Sequence, residues 1–291
     1  MNRGLWLPRP VKIEDLRAYL SLLEVNGLSN GWIYTIEHHL LKYLEFTGWM
    51  ADKAKTLEYL KLLKEKASTS YYRKISYQIR KFLSYLNIEW AKDIKPPKEP
   101  DYEARRITAG DIIATIEYFR TSEYFIQLKA LILLGATSGL RAEELYKLTM
   151  DDIDLANRVV YVRHNPKEGK TTKTSKSRIS FFSMEAKEAL EEYFNFFKHA
   201  RLKKLFSKTH IERLFRKAPI RVKDLRKFFS QQWERLNGSY AVKELLLGHS
   251  IKRSVDLQHY TYLDEEDLRQ VYEQVMGNYR IMSMAEAGIL A

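Results

Sequence analysis

The sequence predicts a mainly α-helical chain in two domains, the second carrying one small antiparallel β-sheet. Three observations predict it. Nearly every apolar stretch repeats at helical spacing. Only residues 159–163 and 178–182 read as strands, joined by the long polar turn HNPKEGKTTKTSKS. Between the two halves lies AKDIKPPKEPDYEARR (91–106), where three prolines among charges break any helix on either side. The boundary is therefore placed near residue 98, giving domains of residues 1–97 and 98–291.

In the first domain, helices are expected at 13–23, 32–47, 55–66 and 71–86. The last is the clearest. Tyr72, Ile75, Ile79, Phe82, Leu83 and Leu86 fall on one stripe, with Ser68, Thr69 and Ser70 as N-cap candidates. Arg73, Lys74, Arg80 and Lys81 fall largely off it. They form either a solvated basic face or a set of phosphate contacts. The pair His38 and His39 lacks a metal-site context and reads as ordinary helix surface. In the second domain, Thr108 caps a helix of about a dozen residues. Further helices are expected at 123–135, 184–200, 203–215, 222–236, 240–247 and 265–276.

The 291 residues include 49 Lys plus Arg against 37 Asp plus Glu, a net charge of +12. This excess favours a polyanionic partner, because neutralising phosphates releases their condensed counterions. Cysteine is absent, which excludes disulfides, thiolate metal sites and a cysteine nucleophile. No apolar run approaches the roughly 20 residues that span a bilayer, and the N-terminus shows no signal-peptide core. The expectation is a cytoplasmic protein with a polyanionic partner and no membrane partner.

Several segments carry residues suited to phosphate chemistry. In ATSGLRAEELYKLTMDDID (136–154), Arg141 follows a glycine break at a helix start, adding its fork of donors to free backbone N–H groups. Lys173 and Lys176 sit at the tip of the hairpin. Lys223 and Arg226 lie three apart on one helix face. In LLGHS (246–250), Gly248 ends a helix and exposes His249. Tyr260 and Tyr262 follow, ahead of the final helix. Gly169-Lys170-Thr171 mimics the end of a phosphate-binding loop, but His164 stands where its first glycine belongs. Asp151, Asp152 and Asp154 cluster at a helix end before a strand, a poor setting for a metal.

Taken in this order, GLRAEEL, the hairpin lysine, the basic-x-x-Arg helix, LLGHS and the following tyrosine resemble the tyrosine recombinase family, which includes the Xer and Cre recombinases. The resemblance covers roughly residues 105–265 and extends more loosely to the N-terminal helices, which resemble the family's core-binding domain. It implies a helical DNA-binding domain, an α+β catalytic domain and a C-shaped clamp on duplex DNA. It also implies cleavage and rejoining through a covalent 3′-phosphotyrosine, with four protomers on two sites and neither metal, ATP nor a small-molecule substrate. By the same resemblance Arg141 and Arg226 are the catalytic arginines, Lys173 the hairpin lysine, His249 the histidine of the LGH motif and Tyr260 the nucleophile. Lys176 and Arg178 match the basic residue and arginine that follow the hairpin lysine at three and five positions.

Two departures stand out. The family's usual His-x-x-Arg is Lys223-x-x-Arg226 here, a pattern resembling archaeal-type integrases. The interval from His249 to the tyrosine is longer by about two residues, which leaves Tyr262 as a rival nucleophile. A topoisomerase-like nicking-closing enzyme and a catalytically silent DNA-binding regulator remain alternatives. The segment ending RIMSMAEAGILA has the apolar content to dock either on a neighbouring protomer or on its own domain.

Overall fold

The computed structural model describes residues 7–99, 101, 103–172, 174–196, 204–249 and 263–283. Lys173, Tyr260 and Tyr262 lie outside the described residues. The chain divides into two compact units, Met1–Ala104 and Arg105–Ala291. This division and the boundary expected near residue 98 both fall within the proline-rich linker. Arg73 ties the start of that linker to the first unit, donating from Nε to Pro97 O at 3.1 Å and lying 3.9 Å from Glu99.

The first unit packs α1 (Ile13–Val25), α2 (Asn30–Thr47), α3 (Lys53–Lys66) and α4 (Thr69–Tyr85) around one apolar core. Ser68 caps α4 by accepting from Tyr71 N–H, and Ile75, Ile79, Phe82 and Leu83 are buried, as the stripe predicts. Two findings differ from the sequence reading. A two-residue pairing of β1 (Arg9–Pro10) with β2 (Met50–Ala51) interrupts the all-helical pattern. His39 is buried rather than on the surface: its Nδ1 meets Gln78 Oε1 at 2.8 Å, satisfying both polar groups between α2 and α4.

The second unit opens with α5 (Ala109–Tyr118), where Thr108 and Asp111 cap one another. The apolar α6 (Phe125–Ser138) is its centre, buried on nearly all sides by α5, α8 (Met184–Phe196) and α10 (Val222–Arg235). After the single turn α7 (Ala142–Leu145) comes a sheet with strand order β3 (Ile153–Asp154), β4 (Val159–Val162), β5 (Arg178–Phe181), antiparallel throughout. The β4–β5 hairpin is the expected one and β3 is an added edge.

Helix α9 (Lys208–Leu214) starts later than expected, because Leu205 and Phe206 are fully buried in a non-helical segment ahead of it. There Leu205 N–H donates to Leu148 O, and Leu205 O accepts from Tyr193. α11 (Tyr240–Leu247) has the expected bounds, and Gly248 closes it in the left-handed conformation, φ 66°. α12 (Glu265–Tyr272) runs into a π-turn over Glu273–Gly277, held where Arg158 donates to Glu273 and to Gly277 O. Beyond it Ile281 is fully buried in the unit's own core, and the Ile281 and Met282 N–H groups donate to Glu185. Through Met282, therefore, the C-terminal segment docks on its own domain. Among the described residues no helix is long and apolar enough to cross a membrane.

Candidate active site

The site is assembled where the end of α6, the start of α7 and the stop of α11 meet. α6 ends at Gly139 with φ 66°, and a Cβ there would lie 2.6 Å from Phe229 Cδ1 on α10. Glycine is needed twice over, for the left-handed backbone and for the close approach. That approach presents Gly139 O to Arg226 Nη1, which donates at 2.8 Å. Two residues on, Arg141 stands extended at the N-cap of α7.

Glu144, one turn into α7, organises the arginines. Its carboxylate accepts from Arg141 N–H at 2.8 Å and from Arg141 Nη1 at 3.0 Å. It also accepts both ends of the Arg178 fork, at 2.9 and 2.8 Å, from strand β5. Burial pushes this carboxyl up, but the bonds from Arg178 and Arg141 outweigh it and hold it below the usual glutamate range. Arg178 in turn donates from Nε to Leu246 O at the end of α11. A Cβ on Gly248 would lie 2.7 Å from Arg178 Cδ. Hairpin, α7 and the LGH turn are thus joined through one guanidinium.

Arg226 sits at the centre. Its Nη2 donates to Leu247 O at 2.9 Å and contacts His249 Nε2 at 2.8 Å. His249 Nδ1 meets Glu244 Oε2 at 2.8 Å. Burial lowers the Arg226 pKa to about 10, reinforced by the like charges of Arg141 and Arg178 and opposed by Glu144 and Glu244. Arginine has five N–H groups. Three have partners among the described residues, which leaves Nε–H and one Nη1–H for an incoming anion.

Arg141, Arg226 and His249 are therefore brought together. Lys223 is exposed at the first turn of α10 and lines a cleft of about 1030 Å³ with Ala142, Arg213, Arg216 and Arg221. No bond ties it to the arginine cluster among the described residues. Lys176 is exposed at the hairpin tip, where Thr172 Oγ1 bridges its N–H and C=O. Lys170 forms an ion pair with the buried Asp152 at 2.6 Å, and Lys147 donates to Thr171 at 2.8 Å. Lys170 and Asp152 thus anchor the hairpin. Among the described residues no group of three or more His, Asp or Glu is placed to hold a metal.

In the first unit Lys74 lies over the Trp32 ring at 4.2 Å, and Lys81 over Tyr77 at 5.0 Å. Arg80 is half-buried, and Arg73 is engaged by the linker. The sequence reading assigned no role to Glu144 or Glu244. Glu144 had a signal, since a glutamate three residues after an N-cap is capping-box spacing. Glu244 had none, because its reach to His249 depends on the left-handed turn at Gly248.

Residues 105–255, just over half the chain, match the model of the phage integrase family. The chain belongs to this family of tyrosine recombinases. It is 26% identical over 300 residues to the tyrosine recombinase XerA of Saccharolobus solfataricus, covering 94% of this chain and 96% of that one. It is also 26% identical over 243 residues to the tyrosine recombinase XerC of Thermodesulfovibrio yellowstonii, covering 73% and 77%. Among solved structures, a lambda integrase dimer bound to a COC′ core site superposes with a TM-score of 0.64 at 15% identity, covering 87% of this chain and 97% of that one. The Tn1549 transposon integrase in complex with circular intermediate DNA superposes at 0.60 and 14% identity, covering 88% and 98%. At such identities the likeness is one of fold: two domains, mainly helical, with small antiparallel sheets.

Proposed function

We propose that this chain is a site-specific DNA recombinase that cleaves and rejoins duplex DNA through a covalent 3′-phosphotyrosine at Tyr260. The observation that carries the reading is the convergence of Arg141, Arg226 and His249 in one partly exposed basic cluster. A phenol of pKa near 10 is a weak nucleophile at neutral pH, and an alkoxide is a poor leaving group. The site must stabilise charge on the phosphorane and manage two protons. Two arginines suit the first task, their permanently charged forks clamping the non-bridging oxygens. Lys173 is assigned as acid for the departing 5′-oxygen, brought in by the hairpin. His249 bonds the phosphate and Lys223 donates to it from the neighbouring cleft. The phosphotyrosine ester keeps the energy of the broken phosphodiester, so rejoining needs no ATP.

Residues 1–97 are assigned to DNA binding through Arg73, Lys74, Arg80 and Lys81, residues 98–291 to catalysis, and Lys176 to a backbone contact. Two DNA sites held by a homotetramer in the cytoplasm complete the proposal. Its support is the family membership, the net positive charge and the DNA carried by the structural neighbours.

The test is incubation with a nicked suicide duplex followed by denaturing electrophoresis. The parent protein is expected to form a protein–DNA adduct, and Tyr260→Phe to form none. An adduct that persists in Tyr260→Phe but vanishes in Tyr262→Phe would move the nucleophile to Tyr262. No adduct from the parent would support a silent regulator. Exchange between two sites separates a recombinase from a nicking-closing enzyme.

A further inference from the structure

We infer that the outward ridge of α4 lies along the major groove of duplex DNA, where the Tyr77 hydroxyl reads a base edge and makes Tyr77 a specificity-determining residue. The inference rests on the function proposed above and deepens it. The observation that carries it is an arrangement in α4 that repeats every seven residues. Seven residues bring a helix to within about 20° of the same direction and rise about 10.5 Å. Ser70, Tyr77 and Ser84 therefore share one line, Lys74 and Lys81 a second, and Arg73 and Arg80 a third. Ile75, Ile79, Phe82 and Leu83 occupy the opposite, buried side. The ridge is thus neutral and hydroxyl-bearing, with a basic row on each flank.

Charge decides the class of partner. The 17 residues of α4 include these four cations and no carboxylate, whereas α1, α2 and α3 each carry at least two. A solvated helix face is ordinarily laced with paired opposite charges, and α4 has none to pair. Two cationic rows about one neutral line match the two phosphate walls of a groove, not the single backbone of an unpaired strand. The sizes agree, since a helix with its side chains is about 10–12 Å across and the major groove about 12 Å wide. Arg73 is tied to the linker through Pro97 O, with Glu99 at 3.9 Å, so its row is the weaker one. Phosphate contacts position and base contacts specify, so the reader stands on the ridge between the rows. Tyr77 is the long side chain there, 49% exposed, and its hydroxyl has no hydrogen-bond partner among the described residues. Lys81 Nζ lies 5.0 Å from the ring centroid, which steadies the ring and leaves the hydroxyl both donor and acceptor. At about 3.4 Å per base pair, Ser70 and Ser84 stand about three base pairs to either side, too far to compete for the pair that Tyr77 reaches.

Selection of bound sequences from a pool of random-sequence duplex DNA reads the preference, and affinity for the recovered duplex across a salt series reads the phosphate contacts. The parent is expected to select a consensus. Tyr77→Phe keeps the ring beneath Lys81 and removes only the hydroxyl. It should lose roughly five- to tenfold of the discrimination at one base pair of that consensus, with the salt slope unchanged. Lys74→Gln combined with Lys81→Gln should do the reverse, lowering the slope by about two and keeping the preference. A Tyr77→Phe protein with undiminished discrimination at every position overturns the assignment, as does one whose salt slope falls instead, or a parent that selects no consensus. Adduct formation on the suicide duplex is scored separately. A parent that selects a consensus but forms no adduct sinks the recombinase reading, with the Tyr77→Phe selection still deciding the part about Tyr77.

Discussion

Replacing Glu144 by leucine tests whether one carboxylate holds the arginine cluster together. Its side chain is 4% exposed and that of its main partner, Arg178, is 11% exposed. The substitution removes both ends of a bidentate pair and the two bonds from Arg141, leaving a largely desolvated guanidinium with Leu246 O as its one remaining partner among the described residues. Breaking a buried pair by deleting one partner costs about 3–5 kcal/mol. In a unit of this size each kcal/mol is worth about 2–4 °C, so melting of the second unit should fall by roughly 6–20 °C. Glu143→Gln is the control. It loses only the solvent-exposed pair with Lys208, worth less than about 1 kcal/mol.

The difference should also depend on pH. The folded Glu144 carboxyl titrates below its ordinary value, so its contribution is fully present above the usual glutamate range, near 4.3. It is lost as pH falls through the lower folded value, and the two melting curves should converge only in that acid range. Calorimetry from neutral to acid pH measures both effects. A Glu144→Leu protein melting within about 2 °C of Glu143→Gln at neutral pH would refute the reasoning.

Two further outcomes are expected. Gly139→Ala should destabilise the second unit by about 2–4 kcal/mol in chemical denaturation, since it forces a left-handed alanine and overpacks Phe229; no loss would mean that the turn relaxes freely. If Lys74 and Lys81 each meet a DNA phosphate, changing both to glutamine should reduce the slope of log affinity against log salt by about two. Arg73→Gln should change it less, because Nε already donates to Pro97 O. An unchanged slope in the double variant would leave a solvated face held over Trp32 and Tyr77.

The elements themselves were legible in the sequence because their causes are local. The α4 stripe, the Thr108 cap, the Gly248 stop and the proline linker each act within a few residues, and all stand near their expected places. Arg141, Arg226 and His249 were legible as candidates because their motifs lie on such elements, and the structure brings the three together. Illegible were features decided by distant partners. His39 is buried by Gln78, 39 residues away. Leu205 and Phe206 give up a helical turn to the core, and the C-terminal segment settles on Glu185, nearly a hundred residues earlier.

The chain by itself determined which residue types stand at the helix start, on the helix face and after the helix stop, since periodicity and capping operate over one or two turns. Only the tertiary structure decided that Glu144 clasps Arg178, that Gly139 admits Arg226, and that Arg226 meets His249. Each of those bonds requires two segments to approach within hydrogen-bonding distance. That approach is set by the packing of α6, α10 and β5, which no local spacing encodes.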